Sequence, residues 1–225
     1  MATRLYLTNS GTIDNGFVPA NNPESIAYWD TASMVKRPWS TTAGSDTLST
    51  VVTTCNPADG SESTVVAVYC TEVLAAGLTL NAEGLTSLIA QIRAQTSAAT
   101  GYLEYTLYKY SGAVYTQIGY GLEGDVATAS LQNNAGTVAC SADTSLSAGD
   151  RLLMYITVLN DGGTSQTVSL RIGSNSGQSD LPADSTSLSD LNPYFEFTET
   201  MSFGVGSEPT RSTTTNSVCR RNRHN

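Results

Sequence analysis

Histidine is almost missing from this chain of 225 residues: the single one, His224, stands one residue from the C-terminus. A Ser–His–Asp or Cys–His centre needs its imidazole on a rigid scaffold, and a chain end is a poor one. Zinc chemistry that relies on imidazole is disfavoured for the same reason. The four cysteines, Cys55, Cys70, Cys140 and Cys219, form no CxxC pair and have no histidine at zinc spacing. They read as buried or idle thiols, and a reducing compartment argues against a Cys55–Cys70 bridge. The N-terminal MATRLYLTNSGT has no apolar run of signal-peptide length, and no later segment has the run a spanning helix needs. Synthesis in a cytoplasm is therefore expected, with no membrane partner.

Charge is also sparse, at 14% of residues, and strand and turn residues dominate. That composition favours an all-β protein, and the length allows one large domain with a real core. The formal net charge of −9 keeps the body soluble and argues against a nucleic-acid surface. The charge is unevenly placed. Arg211, Arg220, Arg221 and Arg223 follow the last acid, so residues 1–209 carry −13 and the tail carries +4.

The organising stretch is Gly149 to Gly173. Leu152, Met154, Ile156 and Val158 share one strand face, and Val168, Leu170 and Ile172 share another. Asn160-Asp161-Gly162-Gly163 lies between them and suits a hairpin turn, so the two strands are expected to pair. Such an apolar hairpin needs more sheet to cover it, which predicts a β-sandwich or barrel.

Further strands are read along the chain. TRLYLT puts Leu5 and Leu7 on one side, and Asp46 to Thr53 begins the sandwich. From Thr64 to Val73, alternation sets Val66, Val68 and Cys70 against Val65, Ala67 and Tyr69. Leu85 to Gln95 fits a helical stripe and a strand face equally, and its all-β surroundings favour the strand. In Gly101 to Tyr110, Leu103, Tyr105 and Leu107 line one face, and Ala113 to Tyr120 pairs with it across Ser111-Gly112. Thr137 to Cys140 and Pro193 to Thr200 complete the set.

Asn9 to Gly44 lacks periodicity yet holds both tryptophans, Trp29 and Trp39. A disordered linker would waste them, so the segment reads as an arm that packs. Extended at roughly 3.3 Å per residue it reaches on the order of 100 Å, enough to cross onto a neighbour or to wrap its own domain. The expected organisation is residues 1–45 as strand and arm, 46–205 as the sandwich, and 206–225 as a basic tail. The tail's arginines suit an acidic neighbouring subunit.

Several blocks in order carry a resemblance: WDTAS with KRPWSTT, LAAGLTL, LIAQIRAQT, LSAGDRLLMYITVL, SLRIG, DLP and LNPYFEF. The run, from about Trp29 to Phe203, resembles jelly-roll β-sandwich proteins found among tailed-bacteriophage virion genes. The resemblance implies a jelly-roll antiparallel sandwich and a non-enzymatic virion role, as a capsid decoration or cement protein. Its partners would be the major capsid protein and further copies of itself, as a homo-oligomer, with a trimer as the guess. Trp29, Arg37, Trp39, Arg211, Arg220, Arg221 and Arg223 are then the candidate subunit contacts. No cofactor is expected.

Two other chemistries compete. Tyr102, Tyr105, Tyr108, Tyr110, Tyr115 and Tyr120 crowd into one stretch. Exposed rings of that kind stack on sugars, so Tyr102, Tyr108 and Tyr110 form a candidate glycan face of a tail or fibre module. Cross-strand aromatic pairing explains the same residues without a ligand. Paired carboxylates for glycan hydrolysis exist only as candidates, in Glu104, Glu123, Asp125, Glu196 and Glu199. A calcium site at Asn160-Asp161 or in Asp180–Asp184 is weaker than a plain turn reading.

Overall fold

The computed structural model describes residues 2–26, 29–30, 34–44, 49–55, 62–82, 86–94, 101–125, 132–160, 165–181 and 192–204. Regular structure among them is strand, apart from one turn of 3-10 helix at Asp14–Gly16. The chain opens with β1 (Thr3–Leu7), β2 (Trp29–Asp30), β3 (Val35–Ser40), β4 (Ser49–Cys55) and β5 (Glu62–Cys70). Two short strands follow, β6 (Val73–Leu74) and β7 (Leu78–Leu80). The middle holds β8 (Thr86–Ala94), β9 (Gly101–Ser111), β10 (Val114–Asp125) and β11 (Gln132–Cys140). After β12 (Thr144–Leu146) come β13 (Arg151–Asn160), β14 (Gln166–Ile172), β15 (Tyr194–Phe197) and β16 (Phe203–Gly204).

One large sheet runs β11-β10-β9-β13-β5-β3-β1-β15-β8-β14-β4, and β11 also pairs with β8. The sheet therefore curls until its edge meets it again, which removes the exposed edge of β11. The all-β expectation holds. The interior is the face that alternation marks: Leu5, Leu7, Leu103, Tyr105, Leu107, Leu152, Met154, Ile156, Val158, Val168, Leu170, Ile172, Phe195 and Phe197 are all buried in one cluster. Each fully buried aliphatic or phenyl group contributes about 1.5–3 kcal/mol. The ambiguous stretch is a strand, β8, pairing with β11, β14 and β15.

Two expectations are corrected. β13 and β14 do not pair: β13 lies between β5 and β9, whereas β14 lies between β4 and β8. Both strands aim their apolar faces at one core. Apolar faces need not belong to neighbouring strands, because strands on opposite walls bury their inward faces against each other. The second correction concerns β5. Ala67 pairs with Ile156 and Val65 with Thr157, so Val66 is an extra residue in a bulge. The bulge breaks the period of two. Val66, Ala67 and Tyr69 face the core, and Val65, Val68 and Cys70 face outward.

β9 and β10 form the expected hairpin, with Ser111 opposite Val114. The two residues between them, Gly112 (φ 55°) and Ala113 (φ 70°), both take the left-handed conformation that tight hairpins need. Further along β10, Gly121 lets β11 approach: a Cβ there would stand 2.1 Å from the Thr137 carbonyl oxygen. At the start of β13, the buried Asp150 accepts from the Ser147 amide at 2.8 Å and meets Lys109 Nζ at 3.3 Å. Burial alone would raise its pKa. Hydrogen bonds from Ser111, Ser147 and Lys109 outweigh that and hold the carboxyl below the ordinary range.

Gly121→Ala is expected to cost about 3 kcal/mol or more, read as a lower urea midpoint, because backbone rather than a side-chain tip must move. Asp150→Asn is expected to destabilise by about 1–3 kcal/mol at neutral pH. The wild-type advantage should be complete above the unfolded carboxylate value of about 3.9 and fade as pH falls through the lower folded value. A midpoint difference independent of pH between 2 and 7 would contradict that origin.

Candidate functional site

The outer face of β5, β9 and β13 is itself apolar, carrying Val65, Val68, Cys70, Tyr108, Leu153 and Tyr155. Bare, it would be a large wet hydrophobic patch. Residues from the arm cover it: Ile13, Phe17, Trp29 and Met34 pack on this second cluster. Backbone pairing fixes the arm at two points, since β2 and β3 both run parallel to β5.

Polar contacts fix the rest. Arg151, buried at the start of β13, holds both carboxylate oxygens of Asp14 and donates to the Thr71 carbonyl at 2.9 Å. Its guanidinium also stands 5.1 Å from the Phe17 ring centre. Burial opposes the charge, but the Asp14 bonds more than offset it and raise the guanidinium pKa above its ordinary value. Tyr155 donates to the Ala20 carbonyl and Ala20 donates to the Tyr115 oxygen, both at 2.8 Å. Lys36 holds the Pro19 carbonyl and Asn21.

A cleft of about 530 Å³ opens between the arm and the ends of β1 and β3. Hydroxyl residues line it, among them Thr8, Ser10, Thr12, Ser40 and Thr42. Asp14 and Glu72 add carboxylates, and Trp39 with Cys70 lies on its buried side. Trp39 is 4% exposed, and its indole Nε1 has no hydrogen-bond partner among the described residues. Cys70 is no nucleophile: burial pushes its thiol up to about 12.

A second, smaller pocket of about 140 Å³ lies on the outer face of β9 and β10. Ile26 and Trp29 come from the arm, Glu104 and Thr106 from β9, and Gln117 and Tyr120 from β10. Glu104 accepts from Ser63 Oγ at 2.7 Å and from the Tyr120 hydroxyl at 2.8 Å. Ser63 is buried and committed to this bond.

The structure separates the residues singled out from sequence. Trp29 stacks on Tyr155, with centroids 5.6 Å apart. Trp39 is in the main core against Tyr69, Phe195 and Phe197. Arg37 donates to the carbonyls of Asn9 and Lys36, both within the arm, so it braces the arm internally. Tyr108 is buried, Tyr110 packs between Phe17 and Tyr115, and Tyr105 points into the core. The side chain of Tyr102 lies outside the described residues, as do Arg211, Arg220, Arg221, Arg223, Cys219 and His224. Glu196 and Asp180 both hold Arg4, each at 2.5 Å. Glu199 accepts from the Asn81 amide, while the side chains of Glu123 and Asp125 lie outside the described residues. Among the described residues, no three His, Cys, Asp or Glu side chains gather closely enough to hold a metal. No sequence motif announces the Glu104 pocket, because Ser63 and Tyr120 stand 41 and 16 residues from Glu104.

Arg151→Met is expected to loosen the arm more than the body. Amide exchange over residues 12–18 should rise at least tenfold, with a global loss of about 3 kcal/mol, because Asp14 loses its partner. Exchange rising equally in β9 and β13 would contradict a local clamp.

No protein-family model matches the chain. No curated protein matches it either. Solved structures do resemble its fold. A CocE/NonD family hydrolase from Staphylococcus aureus aligns over 88% of this chain at 10% identity and a TM-score of 0.47. An α-amino acid ester hydrolase aligns over 87% at 9% identity and 0.48. An aminopeptidase from a marine-sediment Thaumarchaeota archaeon aligns over 88% at 6% identity and 0.50. In each case the chain spans only 36% of the neighbour's length. At these identities the likeness is one of fold. The resemblance to tailed-phage virion proteins is corrected: the structures alike in fold are hydrolases and an aminopeptidase. With it fall the capsid decoration role, the tail-fibre alternative and the expectation that the chain has no part in enzymatic chemistry. The chain resembles a part, about a third, of longer hydrolytic proteins.

Proposed function

We propose that this chain is a ligand-binding β module, a jelly-roll-type sandwich, that takes part in ester or amide hydrolysis by holding the substrate in the Trp39 cleft. The observation that carries this reading is the indole N–H of Trp39. It is buried beside this cleft of about 530 Å³ and finds no acceptor within the described residues. A buried donor left unsatisfied costs about 1–3 kcal/mol, and a carbonyl oxygen that enters the cleft and displaces the wall over the indole edge would recover it. Esters and amides supply such an oxygen. The Thr8 and Ser40 hydroxyls already donate to the Pro38 and Thr42 carbonyls but keep acceptor capacity, so with Thr12 they suit the remaining polar atoms of such a ligand. The hydrolytic setting is supported by the fold likeness to the archaeal aminopeptidase, of which this chain matches a module-sized part. In this reading the module positions the scissile group, and remote binding of that kind lowers the barrier elsewhere in the assembly.

Calorimetric titration of the full chain with neutral N-acetyl amino-acid amides and their methyl esters tests this. Saturable binding is expected, weakened about tenfold by Trp39→Phe, which keeps a ring in the core but removes the N–H. Thr12→Tyr, on the exposed wall of the cleft, should block it. Absence of saturable heat with both ligand classes, or equal affinity in Trp39→Phe, would sink the proposal.

A further inference from the structure

The Glu104 pocket shares no lining residue with the Trp39 cleft. Its chemistry is different. Glu104 is 9% exposed, and among the described residues no Lys or Arg pairs with it. A buried carboxylate without a cation is unusual, since buried charges are normally paired. Its two hydroxyl partners, Ser63 and Tyr120, donate to it but bring no charge. Two oxygens offer about four acceptor positions, and these bonds occupy two.

The rest of the pocket suits a cation. Trp29 and Tyr120 contribute aromatic rings, whose faces attract positive charge. Thr106 and Gln117 contribute side-chain oxygens that can accept further hydrogen bonds. The volume of about 140 Å³ is a few times the roughly 30 Å³ share of a water molecule, room for a compact head and a short stem. A divalent metal fits poorly, because one carboxylate among neutral groups falls short of the oxygen count such ions need. We propose that the Glu104 pocket is a binding site for a primary ammonium group, taken from a lysine side chain, a peptide α-amine or a free alkylamine. An ammonium has three donors, enough to reach Glu104, Thr106 and Gln117 at once.

The full chain is titrated by calorimetry with n-butylammonium chloride and, as the uncharged counterpart, n-butanol. Nα-acetyl-lysine amide, glycyl-glycinamide and Nα-acetyl-arginine amide form the other arms. Saturable binding of butylammonium is expected, at least tenfold tighter than butanol and weakened by added salt. Glu104→Gln should lose at least tenfold. Because that variant touches a buried bond network, Gln117→Lys is the second test. Gln117 is exposed, and a lysine there places a resident ammonium at the pocket and should also abolish binding. The tighter of the lysine and dipeptide arms names the source of the amine. Butylammonium binding no better than butanol, wild-type affinity in a folded Gln117→Lys protein, or preference for the arginine arm would each overturn the proposal. Trp39→Phe should leave butylammonium affinity unchanged, so this site and the cleft fail or stand separately.

Discussion

A sheet that is apolar on both faces needs two covers, and that constraint shapes everything else in this protein. The inner face of β9, β13 and β5 is covered by the opposite wall of the curled sheet, through Leu170, Phe195 and their neighbours. Among the described residues, no second sheet covers the outer face. The chain supplies a cover from its own N-terminal arm, using Phe17, Trp29 and Met34. Apolar contact alone does not fix a strap of irregular chain, because it is not directional. Direction comes from the Arg151–Asp14 pair, the Tyr155–Ala20 and Tyr115–Ala20 bonds, and the short parallel pairings of β2 and β3 with β5.

That arrangement also creates the two openings. Irregular chain laid over a pleated surface cannot fill every hollow as a packed sheet does. The cleft beside Trp39 and the pocket over Glu104 both lie along the line where the arm meets the sheet. Beside each lies a buried polar group that the described residues leave short of a partner of matching kind: an indole N–H without an acceptor, and a carboxylate without a cation. Such groups are costly to bury, which makes them informative. Part of the tyrosine cluster, by contrast, is consumed in holding the strap, while Tyr105 faces the core and Tyr120 lines the Glu104 pocket. Tyr108 and Tyr110 sit beneath it, and Tyr155 and Tyr115 bond its backbone.

Strand faces were legible because the period of two is a local rule. Leu103, Tyr105 and Leu107 on β9, and Leu152 to Val158 on β13, fall on the core side as alternation indicates. β5 departs from alternation only where the Val66 bulge inserts a residue, and a bulge leaves no mark in an apolar run such as VVAVY. Pairing was not legible. The stretch around Asn160 reads as a hairpin, yet β13 and β14 stand in opposite walls, because periodicity tells which side of a strand is apolar and says nothing about its neighbour. The resemblance in short blocks failed for a related reason. Blocks such as LSAGDRLLMYITVL record the strand-and-turn needs of a β-sandwich, and those needs are shared by proteins of unrelated function.

The sequence by itself determined the all-β class, the strands and most of their inward faces, since composition and alternation act over a few residues. It also marked the arm as a segment that packs, through Trp29 and Trp39. Only the tertiary structure decided which strands pair, that the arm straps its own sheet, and where chemistry gathers. Ser63, Glu104 and Tyr120 meet in one hydrogen-bonded group from three separate strands, and Trp39 lines a cleft closed by the arm together with Cys70, Glu72 and Phe203. Those encounters depend on curvature and register summed over the whole sheet, which no local pattern encodes.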